Sequence, residues 1–273
     1  MVFSSPTFLY AFLPIFLIFY FLGRDIAWRN GVLLAFSLVF YAWGEPVFVL
    51  VMLASIVVNW AVARAISAAP ARKGTALSVG IVLNLVLLGV AKYADFIVST
   101  INGVIPSLNL PQPNLPLPLG VSFFTFQAMS YLIDVYREEA MVERSLARVA
   151  LYISMFPQLV AGPIVRFSTV AAQIGRRHST VWRAAAGTRI FAIGLAQKVL
   201  IANEAGLAAD IAFSLGPNLD PSEAWAGLAA YTLQIYYDFA GYSNMAIGLG
   251  FILGFSFPCN FNLPYTARSV TEF

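Results

Sequence analysis

Near-continuous apolar runs dominate this sequence: Val2–Leu22, Pro46–Ala63, Ala76–Ala91, Leu119–Tyr136 and Ile190–Ala202. A helix rises about 1.5 Å per residue, so roughly 20 apolar residues cross a hydrocarbon core of about 30 Å. Backbone in lipid must satisfy its own polar groups, which leaves helices or closed barrels as spanning structures. Runs of this length predict an all-α, polytopic transmembrane helix bundle with re-entrant or interfacial segments. Composition agrees, because charged residues make up 11% of the 273 against about 25% in soluble domains. That deficit excludes an ordinary soluble enzyme.

The net charge of +3 reads as cationic cytoplasmic loops rather than as a nucleic-acid surface. Thirteen of the sixteen Lys and Arg residues fall in the stretches 24–29, 64–73 and 137–189, and none lies in 93–136 or 199–267. The positive-inside rule then puts the N-terminus and the Pro-rich stretch outside the cytoplasm. There is no basic region before Phe3 and no small-x-small site after Gly23, so the first run reads as a retained helix rather than a signal peptide.

The first run carries Pro14 as a kink. A short second segment covers Gly31–Trp43 and turns at Trp43-Gly-Glu-Pro46. A third runs from Pro46 to Ile66 and a fourth from Ala76 to Ala91. Ser99–Pro118 is uncharged and holds five prolines, which predicts an extracytoplasmic loop. After Tyr136, Val149–Val165 is a shorter apolar piece, broken by Pro157 and by Gly162-Pro163 and flanked by arginines on both sides. It reads as re-entrant or interfacial. A sixth segment covers Gly187–Ala205, and Gly206–Glu223 reads as an acidic loop. Trp225–Phe239 and Gly241–Phe257 then form two segments divided by Asp238–Asn244. The whole, 1–273, reads as one transmembrane domain.

Polar groups inside apolar runs are costly, about 2.5–3.5 kcal/mol for a central charge on insertion scales. The candidates are Gln127, Asp134, Gln158, Lys198, Asp238 and Asn244, with Asn59, Asn84 and Gln234. Asn59 and Asn84 read as interhelical hydrogen bonds. Asp134 and Lys198 lie near segment ends, where snorkelling competes with a functional role. Tyr236–Asn244 gathers a carboxylate, phenols, a hydroxyl and an amide within nine residues. If that stretch is helical, Asp238 and Tyr242 share a face. Spacing leaves two readings open, a polar tunnel lining and an interfacial aromatic belt. Gly250-x-x-x-Gly254 reads as a helix-packing surface. Cys259 reads as a small buried apolar residue and His178 as a solvated loop residue. No cluster has metal-ligand spacing.

The chain resembles the membrane-bound O-acyltransferase (MBOAT) family, most closely its bacterial alginate and exopolysaccharide O-acetylation branch. The resemblance rests on the opening Met-Val-Phe-Ser-Ser-Pro-Thr-Phe-Leu, Phe12-Leu-Pro-Ile15, Phe40-Tyr-Ala-Trp43, Lys92-Tyr-Ala-Asp95 and Leu117-Pro-Leu-Gly-Val-Ser-Phe123. Further along it rests on Ser130–Arg137, Phe156–Pro163, Tyr237–Gly248, Asn260–Tyr265 and Ser269–Phe273. Ala240 and Asn244 stand where the branch usually has Ser and Asp.

The resemblance implies acetyl transfer from a cytoplasmic donor, acetyl-CoA or an acetylated carrier, to hydroxyls of a periplasmic exopolysaccharide such as alginate. It implies the bacterial inner membrane, periplasmic acetyltransferase partners, surrounding membrane lipid, and neither metal nor bound cofactor. It places the family's catalytic histidine beyond Phe273, so this stretch is expected to be inactive alone, and His178 does not match that position. Gln127, Asp134, Gln158, Lys198, Tyr237, Asp238, Tyr242, Ser243 and Asn244 are then expected to line or support the tunnel. Arg166, Arg176 and Arg177 are expected to steer the anionic donor, or simply to set topology. D-alanyl transfer to teichoic acid, a transporter with helices broken at Pro157 and Gly241, and a non-catalytic scaffold are the alternatives.

Overall fold

The computed structural model describes residues 2–116, 120–159, 162–163, 165–216 and 219–271. Their regular structure is helical, with no strand among them. Among the described residues four helical stretches are long and apolar enough to cross a membrane: Ile26–Gly44, Phe48–Ala68, Pro70–Val104 and Val181–Ser214. Phe8–Leu22 is a shorter apolar helix. The chain divides into two compact units. One holds Phe16–Val160 and Ile164–Arg176, and the other holds Val2–Ile15, Ala161–Pro163 and Arg177–Phe273.

The first helix opens with a π-helical turn, Phe8–Phe12, and continues as α1, Leu13–Leu22. Pro14, the expected kink, directly follows that wider turn. A proline lacks the N–H of the helical ladder and its ring crowds the preceding turn, which local rewinding relieves. Helical backbone begins at Pro6 rather than at Val2.

In the first unit α2 is Ile26–Gly44, α3 Phe48–Ala68, α4 Lys73–Val104 and α5 Val121–Tyr136. The α2 helix is longer than its apolar core, because Arg29 lays its guanidinium over the Tyr20 and Phe21 rings and Asn30 donates to the Ile174 carbonyl. Helices α3, α4 and α5 meet at Gly80. A Cβ there would lie 2.5 Å from Leu132 Cδ1 and 2.9 Å from Val62 Cγ1. Near this junction Asn59 and Asn84 donate to each other's amide oxygens at 3.2 and 2.7 Å, as interhelical amides should.

The α4 helix corrects the expected fourth segment. It runs unbroken through Asp95 and Ser99 to Val104, about 48 Å at 1.5 Å per residue. Ser99 and Thr100 donate to the carbonyls of Asp95 and Phe96 one turn back, so their hydroxyls stay within the helix. The first breaker is Pro106. The Pro-rich segment that follows folds back on the helix. Asn102 and Leu110 exchange two hydrogen bonds, and Asp95 Oδ1 accepts from the Asn114 N–H at 2.7 Å.

The expected re-entrant piece becomes two short helices, α6 Leu146–Ser154 and α7 Phe156–Leu159. Neither reaches the length of a span. Every residue from Val149 to Leu159 is buried. The break falls at Met155, where the Phe156 N–H donates to Ser37 Oγ, and Pro157 enters the first turn of α7. Residues 160, 161 and 164 of that piece lie outside the described residues, as do 117 and 118 at the end of the expected Pro-rich loop and 119 at the start of the fifth segment. Helix α8, Phe167–Gly175, buries Phe167, Val170 and Ile174 on one face.

In the second unit α9, Val181–Ala196, passes through a π-helical stretch, Gln197–Ala202, into α10, Asn203–Ser214. Helix α11 is Pro221–Leu253. Two expectations fail here. Gly206–Ser214 is helical rather than loop, and the two segments expected on either side of Asp238–Asn244 are one helix. Packing overrides the local glycine signals. Gly206 sits against Gln234, and Gly241 faces the backbone of α9 and the π stretch, where a Cβ would lie 2.8 Å from the Gly194 carbonyl oxygen. A capping box at Asp220 and Glu223 starts α11, and Gly254, at φ +91°, ends it.

Candidate functional site

The antiparallel pairing of α9 and α10 with α11 forms the best-defined polar site, and glycine makes it close. A Cβ on Gly187 would lie 2.5 Å from the Gly248 carbonyl oxygen, and one on Gly194 would lie 2.5 Å from that of Gly241. Each pair is seven residues apart on its own helix, two turns along one face. The expected Gly250/Gly254 surface is therefore corrected. Gly250 faces the Phe257 ring, and Gly254 turns the chain against the His178 backbone.

Beside this seam the polar residues pair across the helices. Lys198 Nζ lies 2.5 Å from Asp238 Oδ1, and both side chains are part-buried. Asn244 Nδ2 donates to Gln197 Oε1 at 2.8 Å. Lys198 and Gln197 both sit on the π-helical stretch, a feature common at functional sites because the widened turn re-aims side chains. So Lys198 does not merely snorkel; it has a partner 40 residues away. Gln197 was not among the expected residues, and its position beside Lys198 in an apolar run was the available signal.

Further along α11, Tyr242 and Ser243 are buried, and neither hydroxyl has a hydrogen-bond partner among the described residues. The Tyr242 ring stacks on Phe3 at 4.4 Å. Tyr237 is half-buried and meets Tyr236 edge-on, and Tyr236 in turn packs against Phe261 and Tyr265. Asp238 and Tyr242 share a face of one continuous helix, as their spacing required.

The other expected residues lie in the first unit. Gln127, Tyr131 and Asp134 follow one stripe of α5. Asp134 is buried, and its Oδ2 accepts from the Ser168 N–H at 2.9 Å. A carboxylate at the start of α8 satisfies an orphan N–H and complements the helix dipole, so Asp134 braces α8 onto α5. Gln158 Nε2 donates to the Tyr152 carbonyl, and Tyr152 Oη donates to that of Val165. Gln127 is buried with both amide atoms unpaired among the described residues. An unmade bond of this kind costs about 1–3 kcal/mol, and such groups are the ones able to meet a polar ligand.

The three arginines separate. Arg166 is exposed, 3.4 Å from Glu139, and Arg176 is exposed. Arg177 is buried with its guanidinium 4.3 Å from the Phe255 ring centroid. His178 is an exposed loop residue. Cys259 is exposed rather than buried, because it lies in the irregular segment after α11. Among the described residues no group of three or more His, Cys, Asp or Glu is placed to hold a metal. The α9–α11 site offers charge and hydrogen bonding to a bound group, but no imidazole for proton transfer.

Long apolar helices with polar groups paired between them define a polytopic, all-α membrane protein. No family model matches the chain. Over all of its length the chain is 43% identical to the probable alginate O-acetylase AlgI of Pseudomonas aeruginosa, covering 53% of that protein. It is 33% identical to the peptidoglycan O-acetyltransferase of Helicobacter pylori, covering all of this chain and 58% of that protein. A weaker match, 27% identity over 62% of this chain and 45% of the relative, is the teichoic acid D-alanyltransferase of Bacillus subtilis. The chain spans about half the length of these curated relatives. From end to end it is an MBOAT-like sequence.

Proposed function

We propose that the protein is a membrane O-acyltransferase of exopolysaccharide, passing acetyl groups from a cytoplasmic donor toward polymer hydroxyls on the periplasmic side. The observation that carries this is the end-to-end 43% identity to a probable alginate O-acetylase. The polar cluster within the Tyr237–Gly248 motif supports it, because it gives the motif a physical task. In this reading Lys198, Asp238, Gln197 and Asn244 fix the helix pair, while Tyr242 and Ser243 offer hydrogen bonds to the group in transit. Proton transfer is left to the histidine that the family resemblance predicts. Exposed Arg166 and Arg176 draw an anionic donor, acetyl-CoA or an acetylated carrier. The protein sits in the bacterial inner membrane with its N-terminus periplasmic, among lipid, and hands acetyl groups to periplasmic acetyltransferase partners.

The test is complementation. The gene encoding this chain is expressed in an alginate-producing strain lacking its own alginate O-acetylase, with membrane expression verified by immunoblot. Acetyl content of the purified polymer is then read by proton NMR. Restored acetylation is expected. Unacetylated polymer, with D-alanine returning to the teichoic acid of a strain lacking its D-alanyltransferase, would move the function to D-alanyl transfer.

A further inference from the structure

The end of the α3–α4 hairpin carries a feature that acyl transfer does not use. Between the two helices lies a groove of about 340 Å³. Val62 and Ala65 line it from α3 with Ala69 just after its end, Thr75, Ala76 and Val79 line it from α4, and Arg72 stands at the connecting turn. Val62 to Ala69 is seven residues of helix, so the groove is about 10 Å long. Its walls are apolar except near the turn, where Arg72 and Thr75 lie. Both helices are long and apolar enough to cross a membrane, which makes lipid the solvent of the groove.

The cations at this turn are not equivalent. Lys73 Nζ is held by Glu138 at 2.9 Å and lies over the Tyr136 ring. Arg64 lies over the Trp60 ring at 4.8 Å. Arg72 is exposed and makes no ion pair among the described residues. Its backbone is fixed, because the N–H of Arg72 donates to the Ala69 carbonyl in a tight turn that starts at Pro70. An uncommitted guanidinium therefore sits at the polar end of an apolar groove.

We propose that this groove binds one anionic phospholipid of the leaflet that faces the α3–α4 turn. Arg72 takes the phosphate, and part of one acyl chain lies along Val62, Ala65, Ala69, Ala76 and Val79. Basic pockets between spanning helices recognise anionic headgroups in this way, with charge choosing the headgroup and the groove holding the tail. A guanidinium suits this role because its planar donors match phosphate oxygens in pairs. The site is independent of the acyl-transfer reading and stands or falls without it.

The experiment is native mass spectrometry of the purified protein in detergent, titrated separately with phosphatidylglycerol and phosphatidylcholine. Phosphatidylglycerol is expected to be retained preferentially. Arg72→Gln should weaken its retention about fivefold, the factor that about 1 kcal/mol for one cation at a charged membrane surface amounts to. Phosphatidylcholine retention should change little. Ala65→Phe, at an exposed position, fills the groove and should weaken retention with Arg72 intact. Lys73→Gln, whose cation is already paired, should leave retention within twofold of the parent. Equal retention of the two lipids by the parent protein, or undiminished phosphatidylglycerol in either Arg72→Gln or Ala65→Phe, would overturn the proposal. So would a loss in Lys73→Gln as large as that in Arg72→Gln, since it would spread the attraction over the whole basic turn.

Discussion

A methyl group added at Gly194 puts the α9–α11 seam to its hardest test. A Cβ there would lie 2.5 Å from the Gly241 carbonyl oxygen, 2.7 Å from the Met245 nitrogen and 3.0 Å from Asn244 Cβ. Two of these neighbours are backbone, which no rotamer change moves. Ordinary contact begins near 3.4 Å, so the helices must part by roughly 1 Å, and overpacking of this kind costs about 1–3 kcal/mol. The Asn244–Gln197 bond beside the seam is stretched as well, adding about 0.6 kcal/mol by the average for interhelical bonds in membranes. Alanine gains up to about 1 kcal/mol over glycine in helix propensity. The net for Gly194→Ala is a destabilisation of about 1–2 kcal/mol. Gly89→Ala is the matched control. Gly89 lies within α4 and a Cβ there meets nothing within 4 Å, so the same propensity gain stands unopposed. The assay is the midpoint of SDS-induced unfolding of each purified variant in mixed micelles, followed by tryptophan fluorescence. The Gly194 variant should unfold at lower SDS than the parent, and the Gly89 variant at the same or higher SDS. Equal midpoints for the two would refute the backbone-to-backbone contact.

Other substitutions probe the polar groups one at a time. In the protein encoded by the intact gene, Asp238→Asn should lower polymer acetylation without lowering membrane expression; unchanged acetylation removes Asp238 from the site. Asn59→Ala takes the Asn59 donor from Asn84 Oδ1, leaving Asn84 Nδ2 on the Gly80 carbonyl, and should destabilise by about 1 kcal/mol in the same SDS assay, whereas replacing both amides with leucine should cost less. Reporter fusions within 109–116 should read periplasmic, and a cytoplasmic signal there would invert the proposed topology. Glu138 lies in the loop after α5, where the hydrogen bond and charge of Lys73 hold its carboxyl below the ordinary range. A depressed folded-state value means that the contribution is present above the unfolded value and lost as pH falls through the folded one. The Lys73–Glu138 link should therefore persist at neutral pH and fail in acid below the usual carboxylate range. Glu138→Gln should flatten that acid response in hydrogen exchange of the α3–α4 turn.

Apolar length made the spans legible, because lipid offers no partner to a bare backbone and only a long apolar helix escapes that cost. Boundaries were harder where a polar or small residue stays inside a helix. Ser99 and Thr100 look like loop residues, yet their hydroxyls bond carbonyls one turn back and α4 continues. Gly206 and Gly241 look like breaks. Each instead fits against a neighbouring helix, and packing pays more than the propensity penalty of about 1 kcal/mol takes away. Cys259 was misplaced for the reverse reason: residue type suggests burial, but its position beyond the end of α11 decides exposure.

The site was legible only within a single helix. Spacing alone set Asp238 and Tyr242 on one face, since both belong to one period. The Lys198 partnership spans 40 residues and depends on the π-helical stretch that turns Lys198 and Gln197 toward α11. A signal for the seam existed: glycines seven apart at 187 and 194, and again at 241 and 248. Seven residues is two turns, so each pair opens one face of its helix, and two such faces in one chain fit each other. The polar pairs depend on that seam. The asparagine side chain is short, and Asn244 reaches Gln197 at 2.8 Å because the helices touch backbone to backbone beside it. A charge left alone among apolar helices costs about 2.5–3.5 kcal/mol on insertion scales. Bringing Lys198 to Asp238 offsets part of that cost for both, which is how α11 carries a carboxylate in mid-helix without breaking there.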